Sequence, residues 1–410
     1  MSCRTVVSTG VLTAVLALVG VPTFAASRYR VLHNFAGGKD SNGPLLFVAL
    51  AVDRKGNLFG PGGSLYGQRC QEFSCGLVFE MKRGVGGRWS ETVVFRITDP
   101  QTQGVLNSPI TFDRQGNLYG CTGGLDLVFQ LRLGRNGWSF TPVWNGGCAD
   151  AVGVIPDSVG NLFGSLGPSG PNGGIGKLAH GADGWMYTDL YNFCWQQKGC
   201  PDGVWPLAPL SWDSKGNLYG TTYEGGPSYP GCYCGAAFQM TPNTDGSWTY
   251  HVLHRFGAFK NDGQYPYGSM TVDASGNAYG TTTHGGGSYT AGTVFKLAPT
   301  KSGLWKEILI FDFQKVSNRG YGAPGGNLVF DNAGNLYGTA GSSLCNGTCG
   351  IVFKLAPQPS GQWKFSLVHQ FTGPDGNYPN GLTMDSQGKL YGTTSGGGKY
   401  NYGVVFEITP

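Results

Sequence analysis

One short motif recurs seven times along this 410-residue chain, and it limits the fold more than any other feature. It reads Asp, two variable residues, Gly-Asn, an apolar residue, an aromatic and Gly. The copies span 53–60, 113–120, 157–164, 213–220, 273–280, 331–338 and 385–392, and only the last replaces Asn, with Lys389. Successive copies lie 44–60 residues apart. Behind each copy comes a small residue and an alternating apolar run carrying Phe, as in 76–81, 292–297 and 403–408. The third unit reads as worn, with Lys177 standing where the others carry Phe. A Trp then opens another β-rich run at Trp89, Trp138, Trp185, Trp248, Trp305 and Trp363. A short apolar stretch precedes each Asp, for example 382–384. Each unit therefore holds four short strands separated by turn signals, with no helical period to compete. Four strands per unit, repeated between four and eight times, is the pattern of a β-propeller. The expected fold is all-β, a seven-bladed propeller with four-stranded blades.

The seventh unit stops at Pro410, straight after its Phe-containing strand, and lacks the Trp-type strand. A matching segment lies at the other end of the chain. Residues 29–35 (YRVLHNF) resemble 250–256 (YHVLHRF) and 365–371 (FSLVHQF). The N-terminal strand is thus predicted to complete the last blade, within a single propeller over 27–410. Such closure also removes open sheet edges.

Residues 1–26 read as a secretory signal: Arg4, an apolar run over 11–21, and small residues around Ala25 and Ala26. The run is too short to span a bilayer. The expected mature protein is soluble, secreted or periplasmic, and without a membrane span. Of 11 cysteines only Cys3 falls in the signal, and an even set in an exported chain favours disulfides. The close pairs are Cys70 with Cys75, Cys194 with Cys200 and Cys345 with Cys349, and Cys121 is expected to join Cys148. Cys232 and Cys234 are one residue apart, so a bridge between them is expected to be strained. No metal site is expected, because paired C-x-x-C knuckles are lacking and the histidines are scattered. No cofactor motif stands in the required context. Net charge is +4, from 28 basic and 24 acidic residues with no basic block, which argues against nucleic acid as a partner. The 71 glycines alone would suggest disorder, but 23 Phe, 20 Tyr and 10 Trp place them in the turns of a packed fold.

The recurring Asp-x-x-Gly-Asn reads as a tight hairpin, with Asp bonding backbone amides and Gly taking positive φ. A calcium loop would need several oxygen ligands, and only one carboxylate recurs per turn. The periodic aromatics and Trp residues read as packing between blades. His33, His254 and His369 share one repeat position and read as packing or surface residues.

The segment 216–222 (GNLYGTT), followed by a glycine-rich loop and a strand like 292–297 (GTVFKL), resembles the GloVer-type tandem repeat of exported bacterial proteins, which often carry surface-anchoring (choice-of-anchor) tails. The resemblance covers essentially the mature chain and is strongest in units four to seven. It implies a propeller-like array in an exported setting and carries no established activity or catalytic residues. This chain departs from the anchored members in ending at Pro410 without a hydrophobic tail. The turn motif is also locally similar to sensor-type and lactonase-type propellers.

In a propeller the uniform Asp hairpins share one face and the variable loops lie on the other, where sites usually sit. The variable loops here are rich in Gly and aromatics and poor in charge. Trp205, Tyr223, Tyr265, Tyr267, Tyr289, Tyr378 and Tyr400 are the candidate ligand-binding residues, since flat rings with polar tips suit a carbohydrate, a cell-surface polymer or a protein ligand. The competing account is that these rings only pack the glycine loops together. The leading expectation is an exported binding or interaction module. One alternative is an extracellular carbohydrate-active hydrolase or lyase at the central mouth, using Glu224, Asp262 and His284. Asp262, however, shares its Asp-Gly context with Asp202 and Asp375, which favours a turn role. A structural surface protein is the third reading.

Overall fold

A computed structural model describes residues 27–37, 43–44, 48–63, 76–99, 105–106, 108–123, 125–148, 152–167, 172–194, 199–226, 232–287, 291–342 and 349–410. The described chain forms seven antiparallel sheets. Blade 1 consists of Ala51–Val52, Leu58–Gly62, Leu77–Arg83 and Trp89–Arg96, hydrogen-bonded in that order. Blades 2 to 6 repeat this order, and in blades 2, 5 and 6 the innermost strand is split into two short pieces. Blade 7 orders Asn377–Met384, Leu390–Gly396 and Val404–Thr409, and its fourth strand is Arg28–Asn34. Tyr29 lies opposite Ile408 in that pairing, as Tyr250 lies opposite Met240 in blade 4. The N-terminal strand therefore completes the last blade, as its sequence match predicts. The ring then closes onto blade 1, where Thr383 Oγ1 donates to the Leu50 carbonyl at 2.6 Å. The short helical segments include Val85–Gly87 and Gln314–Ser317.

The repeated turn is held by its own side chains. Asp273 Oδ1 accepts the N–H groups of Ser275 and Asn277 at 2.9 Å, and Oδ2 accepts Asn277 Nδ2 at 2.7 Å. Gly276 supplies φ +80°, a region costly for other residues. Tyr279 Oη closes the set on Asp273 Oδ2 at 3.0 Å. Burial works to raise the Asp273 carboxyl, but the bonds from Asn277, Tyr279 and Ser275 outweigh it and hold it below the usual carboxylate range. At the exceptional seventh turn Lys389 sends Nζ to Glu407 Oε1 at 3.4 Å instead. These carboxylates are spent on the turn, as expected.

In six of the seven blades the glycine that ends the motif makes room for the Phe of the next strand. A Cβ at Gly280 would meet Phe295 Cζ at 2.5 Å, and one at Gly338 would meet Phe353 Cζ at 2.6 Å. Blade 3 requires a correction. Leu178 pairs with Leu162 as Leu131 pairs with Leu118, so Gly176 and not Lys177 occupies the Phe position. Tyr187 of the neighbouring strand covers Gly176 instead. Lys177 takes the register of Lys296 and Lys354, and all three ammonium groups lie 5.4–5.8 Å from the ring of the preceding strand's aromatic. The unit is therefore shifted by one residue, and its lysine is in its ordinary place.

Aromatic contacts tie blade to blade. Trp138, Trp185, Trp248, Trp305 and Trp363 each pack against the second-strand aromatic of the preceding blade, namely Phe59, Tyr119, Phe163, Tyr219 and Tyr279. Trp89 closes the series on Tyr391 of blade 7. A second contact runs between outermost strands. Five joints stack rings: Phe95 on Phe140, Trp144 on Tyr187, Tyr191 on Tyr250, Phe311 on Phe365 and His369 on Tyr29. By register, the remaining two joints place His254 with Glu307 and His33 with Glu91.

Of the expected disulfides, Cys121–Cys148 and Cys194–Cys200 are formed. Cys349 is disulfide-bonded, while Cys70, Cys75 and Cys345 lie outside the described residues, as does the 1–26 segment. Cys232 and Cys234, between which the spacing predicts a strained bridge, are also bonded, with Cα atoms 5.2 Å apart.

Candidate functional site

The variable loops of blades 4 and 5 are shaped by a repeated joint. Trp205, Tyr265, Ala323 and Tyr378 each precede a proline and each has positive φ, between 49° and 58°. A bulky residue pays roughly 1–2 kcal/mol for that conformation, and the position before proline is restricted further. The return is a link between blades. Trp205 donates its N–H to Asn172 at 3.0 Å, Tyr265 to Cys234 at 2.8 Å and Ala323 to Ala291 at 2.8 Å. The following proline sits over a glycine of the preceding blade, where a Cβ would meet the Pro206, Pro266 or Pro324 ring at 2.7–2.8 Å. The backbone strain is thus held by the ring, and three of the four side chains are aromatic; Tyr265 is partly buried and packs against the core cluster that includes Cys234 and Leu253. Trp205 is 44% exposed and Tyr378 is 47% exposed.

Around Tyr265 the expected residues come together. Its ring centroid lies 5.2 Å from that of Tyr223 and 5.4 Å from that of His284. Tyr223 also meets Tyr267 edge-on at 5.9 Å. Thr283 Oγ1 bonds the Tyr265 carbonyl and His284 Nδ1, both at 2.9 Å, and burial lowers the His284 pKa, favouring its neutral form. The Tyr223 N–H donates to the Trp205 carbonyl at 2.9 Å. Tyr267 lines a 360 Å³ cavity in the ring centre, together with Leu50, Ile110 and Leu207. Tyr378 and Tyr400 belong to blade 7, where Lys399 Nζ lies 4.9 Å from the Tyr400 ring. Tyr289 lies outside the described residues.

The three acid–base candidates separate by role. Glu224 and His284 hold equivalent places, opposite Val204 and Gln264. The fully buried Asp262 carboxylate turns instead to the blade 4 side. It takes His254 Nε2 at 3.0 Å and the N–H groups of Ala258 and Gly263 at 2.9 and 2.7 Å. Asp375 does the same with His369 at 2.9 Å and with Thr372, and Asp202 takes Tyr191 Oη at 2.8 Å. The Asp-Gly aspartates therefore organise loops, and two of the three histidines expected to be packing or surface residues, His254 and His369, are their partners. Burial lowers the pKa of His369 even though Asp375 works to raise it.

Sequence reasoning missed Glu307. Burial lifts its carboxyl to about 7, with Asp262 adding to the rise and His254 opposing it. The signal was present as a Glu at a repeat position held by Tyr250, Phe365 and Tyr29 in other blades.

A closed ring of seven four-stranded blades with a loop-built aromatic cluster defines the molecule as a β-propeller. The Gloeobacter/Verrucomicrobia repeat matches residues 124–319 and 233–410, and the chain belongs to that family. No curated protein matches it. Among solved structures, a protein from Lactobacillus plantarum is similar at 10% identity and TM-score 0.50, covering 92% of this chain and 90% of its own. PorZ of Porphyromonas gingivalis, a surface component of the type-IX secretion system, is 13% identical with TM-score 0.50 over 92% of this chain and 47% of PorZ. A luciferin-regenerating enzyme is 16% identical with TM-score 0.45, over 75% of this chain and 92% of its own. The two likenesses at TM-score 0.50 speak to the fold alone. Among the described residues no helix is long and apolar enough to cross a membrane.

Proposed function

We propose that this propeller is an exported binding module that takes a carbohydrate or cell-surface polymer on the loop face of blades 4 and 5. The observation that carries this reading is the cluster of Tyr223, Tyr265, Tyr267 and His284, with Tyr265 fixed by an inter-blade joint. Rings held by a rigid scaffold lose little entropy on binding, and their faces and hydroxyls suit sugar rings. Half-exposed Trp205 and Tyr378, on the same repeat position, extend the same chemistry around the ring. Disulfides and the signal-like N-terminus support export. Asp262 spends its carboxylate on His254 and two backbone amides, which favours binding over acid–base work.

The test is affinity electrophoresis of the 27–410 chain through gels containing soluble polysaccharides. Retardation by at least one polymer is expected, weakened about tenfold or more by Tyr223→Ala or Tyr265→Ala with folding intact. Equal retardation of wild type and both variants contradicts the proposal, and so does migration of wild type unchanged by every polymer.

A further inference from the structure

The opposite face has a mouth of its own. The Asp hairpins of blades 1 to 4 enclose a 690 Å³ cavity, within the size range of small-molecule sites. Its wall is apolar in part, from Val52, Phe112, Pro156 and Trp212. Trp212 is fixed there by donating Nε1–H to the Pro156 carbonyl at 3.1 Å. Val52 and Phe112 also line the 360 Å³ central cavity, so the two spaces adjoin across them.

The repeated turn breaks its uniformity at this mouth. Its second residue is Arg54 in blade 1 and Arg114 in blade 2, and then Ser158, Ser214, Ala274, Asn332 and Ser386. The two guanidinium groups thus come from adjacent blades, on one side of the ring. Arg54 Nη2 donates to the Arg114 carbonyl at 2.6 Å, which holds it across the blade boundary. That bond uses one of five N–H donors. The Arg114 guanidinium has no hydrogen-bond or ion-pair partner among the described residues. The carboxylates of Asp53 and Asp113 do not neutralise this pair by contact, because each accepts bonds from the amides and Asn side chain of its own turn.

From this we infer that the hairpin-face mouth binds a small organic carboxylate with an apolar body. Its charged end lies between Arg54 and Arg114, and its body rests on Phe112 and Trp212 and points toward the ring centre. Guanidinium forks match carboxylates in geometry. Asp157 and Asp213 also line the mouth, each bonded within its own turn, so four carboxylates face the two guanidinium groups and only a singly charged anion seated directly between the arginines suits it. This site is separate from the loop-face cluster and does not depend on it.

Octanoate is the probe, followed by isothermal titration and by the fluorescence of the 27–410 chain, with octan-1-ol, acetate and inorganic phosphate as comparators. Octanoate is expected to bind saturably and at least tenfold more tightly than each comparator. The R54A/R114A double variant should lose at least tenfold in octanoate affinity while keeping its melting temperature, and R54K/R114K should recover part of it. Y223A should leave octanoate binding unchanged, which separates failure here from failure of the loop-face proposal. The inference is overturned if octanol binds as tightly as octanoate, if phosphate does, if octanoate fails to bind, or if R54A/R114A binds it like wild type.

Discussion

At the scale of single residues, the sequence motif and the structure agree because the motif is a self-contained hydrogen-bonding unit. Asp273 holds two amides and an Asn side chain within five residues, so its role depends little on the rest of the ring. Replacing Asp273 with Ala should cost about 2 kcal/mol, the size typical of bonds to a charged group, read by denaturant unfolding. No loss of stability would contradict the role. Asp273 and Asp331 both have carboxyl pKa values held below the ordinary 3.8. Their contribution is present above that value and fades as pH falls through the lowered folded values, so Asp273→Ala should approach wild-type stability in acid. Such residues were legible because turn chemistry is local. Lys177 was misread because a single-residue shift in blade 3 is invisible until Leu178 is seen opposite Leu162.

At the scale of elements, the blades meet through joints that no single motif contains. The residue before proline carries positive φ at Ala323 with no ring to complicate the test. Ala323→Gly should raise stability by up to about 1 kcal/mol, since relief of the left-handed strain outweighs the added freedom of the unfolded chain; a lower melting temperature would contradict this. The outer joint of blades 4 and 5 differs from the five stacked joints in having Glu307. A folded pKa near 7 against an ordinary 4.5 means that its ionisation opposes folding. The related stability is full below pH 4.5 and is lost as pH rises through about 7. Glu307→Gln should therefore melt above wild type at pH 8, with the gap closing toward pH 4.5. Glu307→Tyr, which copies the Tyr29 and Tyr250 joints, should stabilise at both pH values. A constant gap for Glu307→Gln would refute the assignment. This joint is obscured in the sequence because the Trp that recurs at the start of the fourth strand in blades 1 to 6 marks a different contact, while the stacking position lies two residues further on and varies from blade to blade. Arg54 and Arg114 are hidden for a similar reason: they occupy one of the two variable positions of a turn whose other residues are nearly uniform.

At the scale of the whole molecule, the ring is locked by pairing Arg28–Asn34 with Val404–Thr409, residues at opposite ends of the chain. Removing residues 27–35 would expose the Val404–Thr409 edge and delete Tyr29 and Phe35, both packed on blade 7 or blade 1 rings. The truncated chain should melt at a markedly lower temperature and aggregate, as read by calorimetry and light scattering; an unchanged melt would show that the closure is dispensable. Ring and blade count were legible because a closed repeat must write itself seven times. The sites were less legible because function is assigned where the repeat departs from itself, and departure has no period to detect. The central claim is that the loop-face rings recognise sugar polymers while the repeated framework only supports them. The most direct measurement is a glycan array probed in parallel with wild type, a Tyr223→Ala/Tyr265→Ala/Tyr267→Ala variant and the Arg54→Ala/Arg114→Ala variant. The account predicts a defined set of glycan signals for wild type, retained by the arginine variant and lost by the tyrosine variant. Signals that persist in the tyrosine variant, or a blank array for wild type, would contradict it.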